Sequence, residues 1–467
     1  MNTVNYKLAL IASIGGLLFG YDTAVIAGAV QNLTAYFSLT PTETGWAVSC
    51  ALAGCMIGGL FGKVLTDKLG RKKTLIITAC LILISAIGTA LPDNLTTFVI
   101  FRVIGGLGIG LASLAVPVYI SEISAKEVRG KMTALYQLMI ALGMLIVYIV
   151  NTGISEMSPS TEWAVSQSWR WMFGSESIPA LIFFVLLFTI KESPRWLVKN
   201  NQEHEAAKVI RAVNGNEADA EQIVREIKAS FNDEHSDDKS DSLFSKRNRK
   251  VSLIVIATAF IVNSVGVNAV LYYGNVLVQN IGIANAQTAF WQQIIVGVVF
   301  LLAAVFAVYK VEAYGRRPLL IIGSAGCAIS ILALAAMIYL GVQSPFMFVL
   351  ILIYIMLFGA CVGPIFWVML PELSPNSIRD RLVSVSVLMV WFGNFQIAQT
   401  FPMMNDNPYL IETFNGSFPF IIYGIFAILY LVLTIKCIPE TKGKSLEQIS
   451  AEMRGEETNL TTANNYN

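Results

Sequence analysis

The sequence predicts an all-α membrane protein whose twelve transmembrane helices form two six-helix pseudo-repeats. Three observations support this: a high apolar content, twelve apolar stretches of spanning length, and motifs that recur in the second half of the chain. Of the 467 residues, 55% are hydrophobic and only 13% are charged, whereas soluble proteins carry roughly 25% charged residues. The net charge of +1 gives no reason to expect nucleic acid or another strongly charged partner.

Each apolar stretch is long enough to cross a bilayer as a helix, which takes about 20 residues. The predicted spans are 7–30, 44–66, 74–91, 95–120, 131–153 and 169–190, then 251–279, 286–311, 317–340, 345–371, 379–402 and 415–437. The first stretch contains an acid and is longer than the apolar core of a signal peptide, so we expect it to be retained as a helix.

Basic residues are confined to alternate connections. The connections 31–43, 92–94, 154–168, 280–285, 341–344 and 403–414 contain no Lys or Arg, whereas the intervening ones are basic. By the positive-inside rule, both termini and every second loop are therefore expected to be cytoplasmic.

A polar insert separates the two sets of spans. We expect an N-terminal six-helix bundle over 1–190, a cytoplasmic linker over 191–250, a C-terminal bundle over 251–440 and a cytoplasmic tail over 441–467. Within the linker, 202–230 has spaced Ala, Val and Ile among charges and predicts short amphipathic helices. The stretch 232–242 predicts a flexible connection. A plain connector is favoured over a regulatory or binding role.

Three charged motifs recur about 250 residues further along the chain. They are Asp67-Lys-Leu-Gly-Arg71 with Glu312-Ala-Tyr-Gly-Arg316, Glu122 and Arg129 with Glu372 and Arg379, and Glu192-Ser193 with Glu440-Thr441. Two parallel six-helix repeats favour alternating access, with a solute site near the middle of the bilayer.

The repeated acids and arginines are candidate conformational latches, which form charge-assisted hydrogen bonds in only one state. The candidates are Asp67, Arg71, Glu122, Arg129, Glu312, Arg316, Glu372 and Arg379. The alternative is that these residues only set the topology and solvate helix ends.

Further motifs extend over nearly the whole length. They are Gly16-Leu-Leu-Phe-Gly-Tyr-Asp22, Pro117-Val-Tyr-Ile-Ser-Glu122, Glu192-Ser-Pro-Arg-Trp196, Gly266-Val-Asn268, Gly363-Pro-Ile-Phe-Trp367 and Pro439-Glu-Thr-Lys-Gly443. Together with the repeated motifs, and in this order, they resemble the sugar porter family of the major facilitator superfamily. The resemblance implies the major facilitator fold, transport of a pentose or hexose, and a location in a bacterial inner membrane.

Three ionisable side chains lie inside the predicted spans, namely Asp22, Arg102 and Glu176. Such groups are costly in a bilayer and are functional candidates by default. If the distance between Asp22 and Arg102 changes between conformations, the proton affinity changes with it, and transport becomes coupled to protons. The resemblance supports this, because symporters of the family carry an acid at position 22 and Glu176 matches a position implicated in coupling. The alternative is a static ion pair that orders the bundle.

The resemblance also implies a set of sugar-contacting residues. The matching positions are Phe19, Gln137, Asn268, Tyr272, Gly363, Trp367 and Trp391, and Ile140, Asn263 and Asn394 are further candidates. Each aromatic residue has an alternative role in core packing or at the membrane interface. The chain departs from the family where Val262 and Asn263 replace two glutamines, Val390 replaces a glutamine and Phe300 replaces an asparagine. These departures predict a less polar pocket, suited to a sugar with fewer or differently placed hydroxyls, a polyol or another small metabolite.

The sequence thus predicts a proton-coupled monosaccharide symporter, functional as a monomer in a lipid bilayer, that works by rocking of its two bundles. An uncoupled facilitator, an exchanger and a proton-coupled transporter of a polyol or other small metabolite remain as alternatives. A transport-dead sensor is disfavoured, because the tail beyond Leu446 is short and polar. We expect no enzymatic activity, no cofactor and no metal, since no nucleophile–base set, metal cluster or CxxC pair occurs.

Overall fold

The computed structural model describes residues 3–124, 129–214, 217–234, 242–282, 284–444 and 446–454. The first five spans are α1 (Thr3–Phe37), α2 (Pro41–Leu69), α3 (Arg71–Ala90), α4 (Leu95–Ile123) and α5 (Arg129–Glu156). The sixth span comprises α6 (Thr161–Trp163), a π-helical turn at Ala164–Ser168, α7 (Trp169–Ser175) and α8 (Ser177–Leu187). Three linker helices follow, α9 (Pro194–Lys199), α10 (Glu203–Asn214) and α11 (Glu217–Glu234).

The second half repeats this arrangement. The seventh span is α12 (Arg249–Ser264) with α13 (Val267–Asn280), the eighth is α14 (Ala286–Tyr314) and the ninth is α15 (Arg316–Tyr339). The tenth is α16 (Phe346–Cys361) with α17 (Gly363–Glu372), and the eleventh is α18 (Arg379–Asn405). The short α19 (Pro408–Phe414) precedes the twelfth span, α20 (Phe418–Cys437), and α21 (Leu446–Arg454) follows it.

The twelve predicted spans are confirmed, because twelve helical segments of the described chain are long and apolar enough to cross a membrane. Several of them extend beyond the predicted ends, whereas others, such as the third and the ninth, match the predicted bounds to within a few residues. The first runs to Phe37 instead of residue 30, and the sixth begins at Thr161 instead of residue 169. Polar residues prolong the helices, since they satisfy the free N–H groups of the first turn. At the start of α2, for example, Thr40 and Glu43 form a capping box.

Two spans of the second half are broken in the middle. Gly266 separates α12 from α13 with a φ of +94°, a left-handed conformation that favours glycine. The tenth span is interrupted at Val362, and Pro364 in the first turn of α17 has no N–H to continue the ladder. Both breaks lie beside the cavity described below, where non-helical backbone is tolerated in a membrane protein.

Small residues bring the helices of the first half into close contact. A Cβ on Gly20 of α1 would collide with the carbonyl oxygen of Ile140 in α5, and a Cβ on Gly106 of α4 would collide with that of Ala51 in α2. Such contacts drive helix association where no hydrophobic effect operates between helices. Helix α1 packs between α4 and α5, which positions the acid at residue 22.

The two halves meet along three pairs of helices. Helix α2 packs on α18, α5 packs on α14, and α1 contacts α13. Chain direction gives the bundle two ends. We call the end that holds Leu69, Tyr314 and Cys437 the basic end, and the opposite end, which holds Phe37 and Asn405, the far end.

The linker and the tail also contain helices. Helices α10 and α11 pack on each other and on α9 through buried residues such as Ala206, Ile210 and Val224. In the tail, α21 packs on α12 and buries Ile449 and Met453. Most of the predicted flexible stretch 232–242 lies outside the described residues, as does the tail beyond residue 454.

Candidate transport site

A buried ion pair lies inside the first six spans. The Nη1 of Arg102, on α4, lies 2.6 Å from the Oδ1 of Asp22, on α1. Their side chains are only 3% and 6% exposed. The guanidinium also lies over the ring of Phe173, 5.1 Å from its centroid. The structure therefore brings two of the three predicted coupling residues into direct contact.

Glu176, the third predicted coupling residue, lies between α7 and α8 and is buried against this pair. Its carboxyl group is within hydrogen-bonding reach of Asp22. Its Oε1 has no hydrogen-bonding partner among the described residues. Two carboxyl groups thus share one buried guanidinium, so the three groups are electrically neutral together only when one carboxyl carries a proton.

A cavity lies in the middle of the bundle, mostly between spans of the second half. It contains about 430 Å³ of empty space, including space that is open to solvent. Its lining residues are Gln137, Val262, Asn263, Phe300, Phe358, Gly359, Gly363, Pro364, Phe366, Trp367 and Val390. Gln137 is the contribution of the first half. Four of the predicted sugar-contacting residues, Gln137, Asn263, Gly363 and Trp367, therefore lie together on its wall.

The other predicted contacts lie outside this wall. Asn268 donates its Nδ2 to the Oδ1 of Asn263 over 3.3 Å and so touches the cavity indirectly. Further along α13, the hydroxyl of Tyr272 and the side-chain amide of Asn394 are hydrogen-bonded, with 2.9 Å between the hydroxyl and Nδ2. Ile140 packs on Gly20 and is buried between α5 and α1.

Phe19 and Trp391 meet across the interface between the halves. Their ring centroids are 5.6 Å apart. Trp391 adjoins the lining residue Val390 in sequence and is buried, and its indole N–H has no partner in the part of the chain that the structure describes. This pair is therefore placed beside the cavity and offers an unused donor.

The three positions predicted to lower the polarity of the pocket, Val262, Phe300 and Val390, all line the cavity. Phe358 and Phe366 also line the cavity and add further apolar surface, although neither was predicted from the sequence. The Gly363-Pro364 pair was a usable signal for both, because side chains on either side of a helix break tend to face a cavity.

Hydrogen bonds close the far end between the two halves. They join Glu156 to Gln287 and Trp291, Gln31 to Gln279, Gln399 to Ser49 and to the carbonyl of Thr42, and Asn275 to the carbonyl of Ala27. The shortest of them are 2.8 Å. None of these residues was among the predicted latches. The acid at position 156 could have indicated this closure, because it stands in a connection that contains no Lys or Arg.

A cluster of charges at the basic end ties spans of the first half together. Arg71 donates Nε and Nη2 to both oxygens of Glu122, each over 2.8 Å, and Nη1 to the carbonyl of Thr66. The Oδ1 of Asp67 is farther from Arg71, at 3.5 Å. Glu192 accepts the backbone N–H of Arg71 over 2.8 Å and so caps α3 from a distant part of the chain.

The second half repeats this cluster. The Nη2 of Arg316 lies 3.3 Å from Glu372, and Glu440 accepts the backbone N–H groups of Arg316 and Arg317, each over 3.0 Å. Thr441 donates its hydroxyl to Glu372, as Ser193 does to Glu122 in the first half. Burial alone would raise the pKa of the Glu440 carboxyl, but the backbone donors outweigh it and hold the pKa below its ordinary value.

The observed pairs of predicted latch residues each lie within one half. Arg379 bonds to the carbonyl of Ser374 and to Asn376, both of which are near it in sequence. The side chains of Arg129 and Glu312 lie outside the described residues. The recurrence of Glu192-Ser193 as Glu440-Thr441 is visible in the sequence, but the capping role of these residues was not predicted from it.

Comparison with known proteins gives concordant matches. A family model described as sugar (and other) transporter matches residues 8–453. A D-xylose-proton symporter of Escherichia coli (strain K12) is 38% identical over 476 residues, which cover 96% of this chain and 95% of that protein. An arabinose-proton symporter of Bacillus subtilis (strain 168) is 37% identical over 443 residues, covering 95% of this chain and 93% of that one. An inward-open structure of the xylose transporter of Escherichia coli superimposes with a TM-score of 0.83 at 36% identity, covering 96% of this chain and 99% of the other.

Proposed function

The chain belongs to the sugar (and other) transporter family, and we propose that it is a proton-coupled symporter of a monosaccharide that works by alternating access. The observation that carries this proposal is the buried cluster of Asp22, Arg102 and Glu176. Two carboxyls facing one guanidinium provide a place for one exchangeable proton. The relatives named as proton symporters support the same assignment.

The cavity serves as the solute site. It lies next to the interface between the halves and beside two broken helices, which is where transporters of this architecture bind their solutes. Gln137 and Asn263 supply hydrogen bonds, and Trp367, which is 43% exposed, supplies an aromatic face for the apolar side of a sugar ring.

The clusters at the basic end tie together the spans within each half and, in this state, do not join one half to the other. Arg71 with Glu122, and Arg316 with Glu372, hold the spans of each half together. Each half then moves as a rigid body, while the hydrogen bonds that close the far end form and break. The far end is closed here, so the structure corresponds to a state that opens at the basic end.

We place the protein in a bacterial inner membrane with both termini in the cytoplasm. The support is the concentration of basic residues such as Lys68, Lys72 and Arg317 at the basic end. We further expect the monomer to be the functional unit, because each half contributes to one cavity and to one closed far end.

The test is transport in liposomes that contain a trapped pH indicator. Addition of a suitable monosaccharide outside liposomes that contain the purified protein should acidify the lumen. Asp22→Asn should abolish this acidification, while exchange of labelled sugar for unlabelled sugar across the membrane continues. Sugar uptake without proton movement in the wild-type protein would favour an uncoupled facilitator. Proton movement driven only by polyols or other metabolites would refute the sugar assignment.

A further inference from the structure

Much of the cavity lining is apolar. Val262, Phe300 and Val390 all line the cavity and are buried. Asn263, the neighbour of Val262, donates its Nδ2 to the carbonyl of Val390 over 3.1 Å, which brings α12 and α18 together at the two valines. A Cβ on Gly359 would lie 3.2 Å from the ring of Phe300, so this ring packs directly on the backbone of α16. We call these three side chains the apolar wall.

The polar capacity of the cavity is small and lies elsewhere. Among its lining residues, Gln137 and Asn263 have side-chain amides. Asn263 already uses one N–H of its Nδ2 on the carbonyl of Val390 and one lone pair of its Oδ1 on Asn268, which leaves one donor and one acceptor for a solute. The amide of Gln137 has no hydrogen-bonding partner in the described chain and is available to a solute. A solute hydroxyl placed against the apolar wall therefore loses its hydrogen bonds to water without replacement.

We propose that the solute is a 6-deoxyhexose, with its methyl group against the apolar wall and its ring hydroxyls toward Gln137 and Asn263. This inference rests on the sugar symport proposed above. A methyl group is stabilised when it leaves water for such a wall. The hydroxymethyl group of an ordinary hexose is instead destabilised there, because the valines and the phenylalanine have no acceptor or donor for it.

A series of three sugars tests this directly. 6-Deoxy-D-glucose and D-glucose differ only in the hydroxyl at C6, and D-xylose lacks C6 altogether. We expect 6-deoxy-D-glucose to drive proton uptake at a half-saturating concentration about 10- to 100-fold below that of D-glucose, since an apolar pocket rejects an added hydroxyl by up to about 100-fold. D-Xylose should fall between them. The pair of 6-deoxy-D-galactose and D-galactose repeats the comparison at a different ring stereochemistry.

A matched pair of variants assigns the effect to the apolar wall. Val390→Thr adds a hydroxyl at nearly constant volume, and it should reduce the ratio between the two hexoses by at least about threefold, because the C6 hydroxyl gains a partner. Val255→Thr, on α12 but outside this cavity, should leave the ratio unchanged. The ratio compares two sugars on one variant, so it does not depend on how much of that variant is folded.

Two results would overturn the inference while sugar symport stands. One is D-glucose driving proton uptake at the same concentration as 6-deoxy-D-glucose or at a lower one. The other is an unchanged ratio in Val390→Thr. If no sugar of the panel drives proton uptake or exchanges, both the 6-deoxyhexose inference and the symport proposal are wrong.

Discussion

Replacement of Glu176 by Gln isolates the proton-binding step from the rest of transport. The carboxyl of Glu176 is buried beside the pair of Asp22 and Arg102, and the amide has the same shape without the ionisable group. In the wild-type protein, these three groups are neutral only with one bound proton. In Glu176→Gln they are neutral without it, so the cycle no longer takes up a proton.

The size of the effect follows from the proton gradient. One pH unit across the membrane corresponds to about 1.36 kcal/mol per proton, which supports up to about tenfold accumulation of sugar at a stoichiometry of one. In the variant, the sugar concentration inside should only reach the concentration outside, which is a ratio of about one. The ion pair of Asp22 and Arg102, with its 2.6 Å contact, stays intact, so we expect the variant to fold and to exchange sugar.

The assay measures labelled sugar in liposomes whose lumen is one pH unit more alkaline than the medium. Exchange with unlabelled sugar in the absence of a gradient shows that the variant is active. Glu162→Gln, an exposed acid at the start of the same span, is the control and should accumulate sugar like the wild type. Near-tenfold accumulation by Glu176→Gln would refute the charge count on which the proposed coupling depends.

Three further predictions concern the gate, the repeat and acid stability. Asn275→Ala removes the hydrogen bond to the carbonyl of Ala27, which is worth about 1 kcal/mol, so the far end should open more often. The labelling of an engineered far-end cysteine should then rise about fivefold. Equal labelling in the variant and the wild type would contradict the gating role. Gly315→Ala forces a φ of +86° on a residue with a Cβ and should cost about 1–2 kcal/mol, seen as a lower Tm in detergent. Gly153→Ala, whose Cβ would meet nothing within 4 Å, is its control, and an equal loss of Tm in both would contradict the strain. The pKa of Glu440 is below its ordinary value of 4.5, so the ionised carboxylate stabilises the fold above that pH, and this stabilisation is lost as the pH falls further. The Tm of Glu440→Gln should therefore fall less steeply than that of the wild type below pH 4.5.

The spans and the repeat were predictable because of the physics of the bilayer. Backbone groups in lipid must be hydrogen-bonded within the segment, so an apolar stretch of sufficient length becomes a helix almost regardless of its details. The glycine before Arg71 and the one before Arg316 recur because both turns need a left-handed residue. Such requirements are local, and one sequence is enough to reveal them.

The lining of the cavity was only partly predictable. Helices such as α16 are apolar on all sides, so no periodicity shows which of its phenylalanines faces the cavity. The cap that Glu192 provides for α3 joins residues 121 positions apart, and no local pattern encodes such a contact. The resemblance to sugar porters supplied Gln137 and Trp367, whereas the sequence signal for Phe358 was indirect, namely its position close to the Gly363-Pro364 pair.

The proposed proton site and the cavity lie in different halves, so a structural element must connect them. The cluster of Asp22 lies wholly in the first half, and the cavity belongs almost wholly to the second. Helix α1 links the cluster to the second half, because it carries Asp22 and presents the carbonyl of Ala27 to Asn275 of α13. Helix α13 in turn begins at the break beside the cavity and carries Asn268, the partner of Asn263. Two linked sites need a physical element whose position both of them bias. We therefore expect a shift of α1 against α13 to connect the proposed proton site with the far-end closure and the cavity.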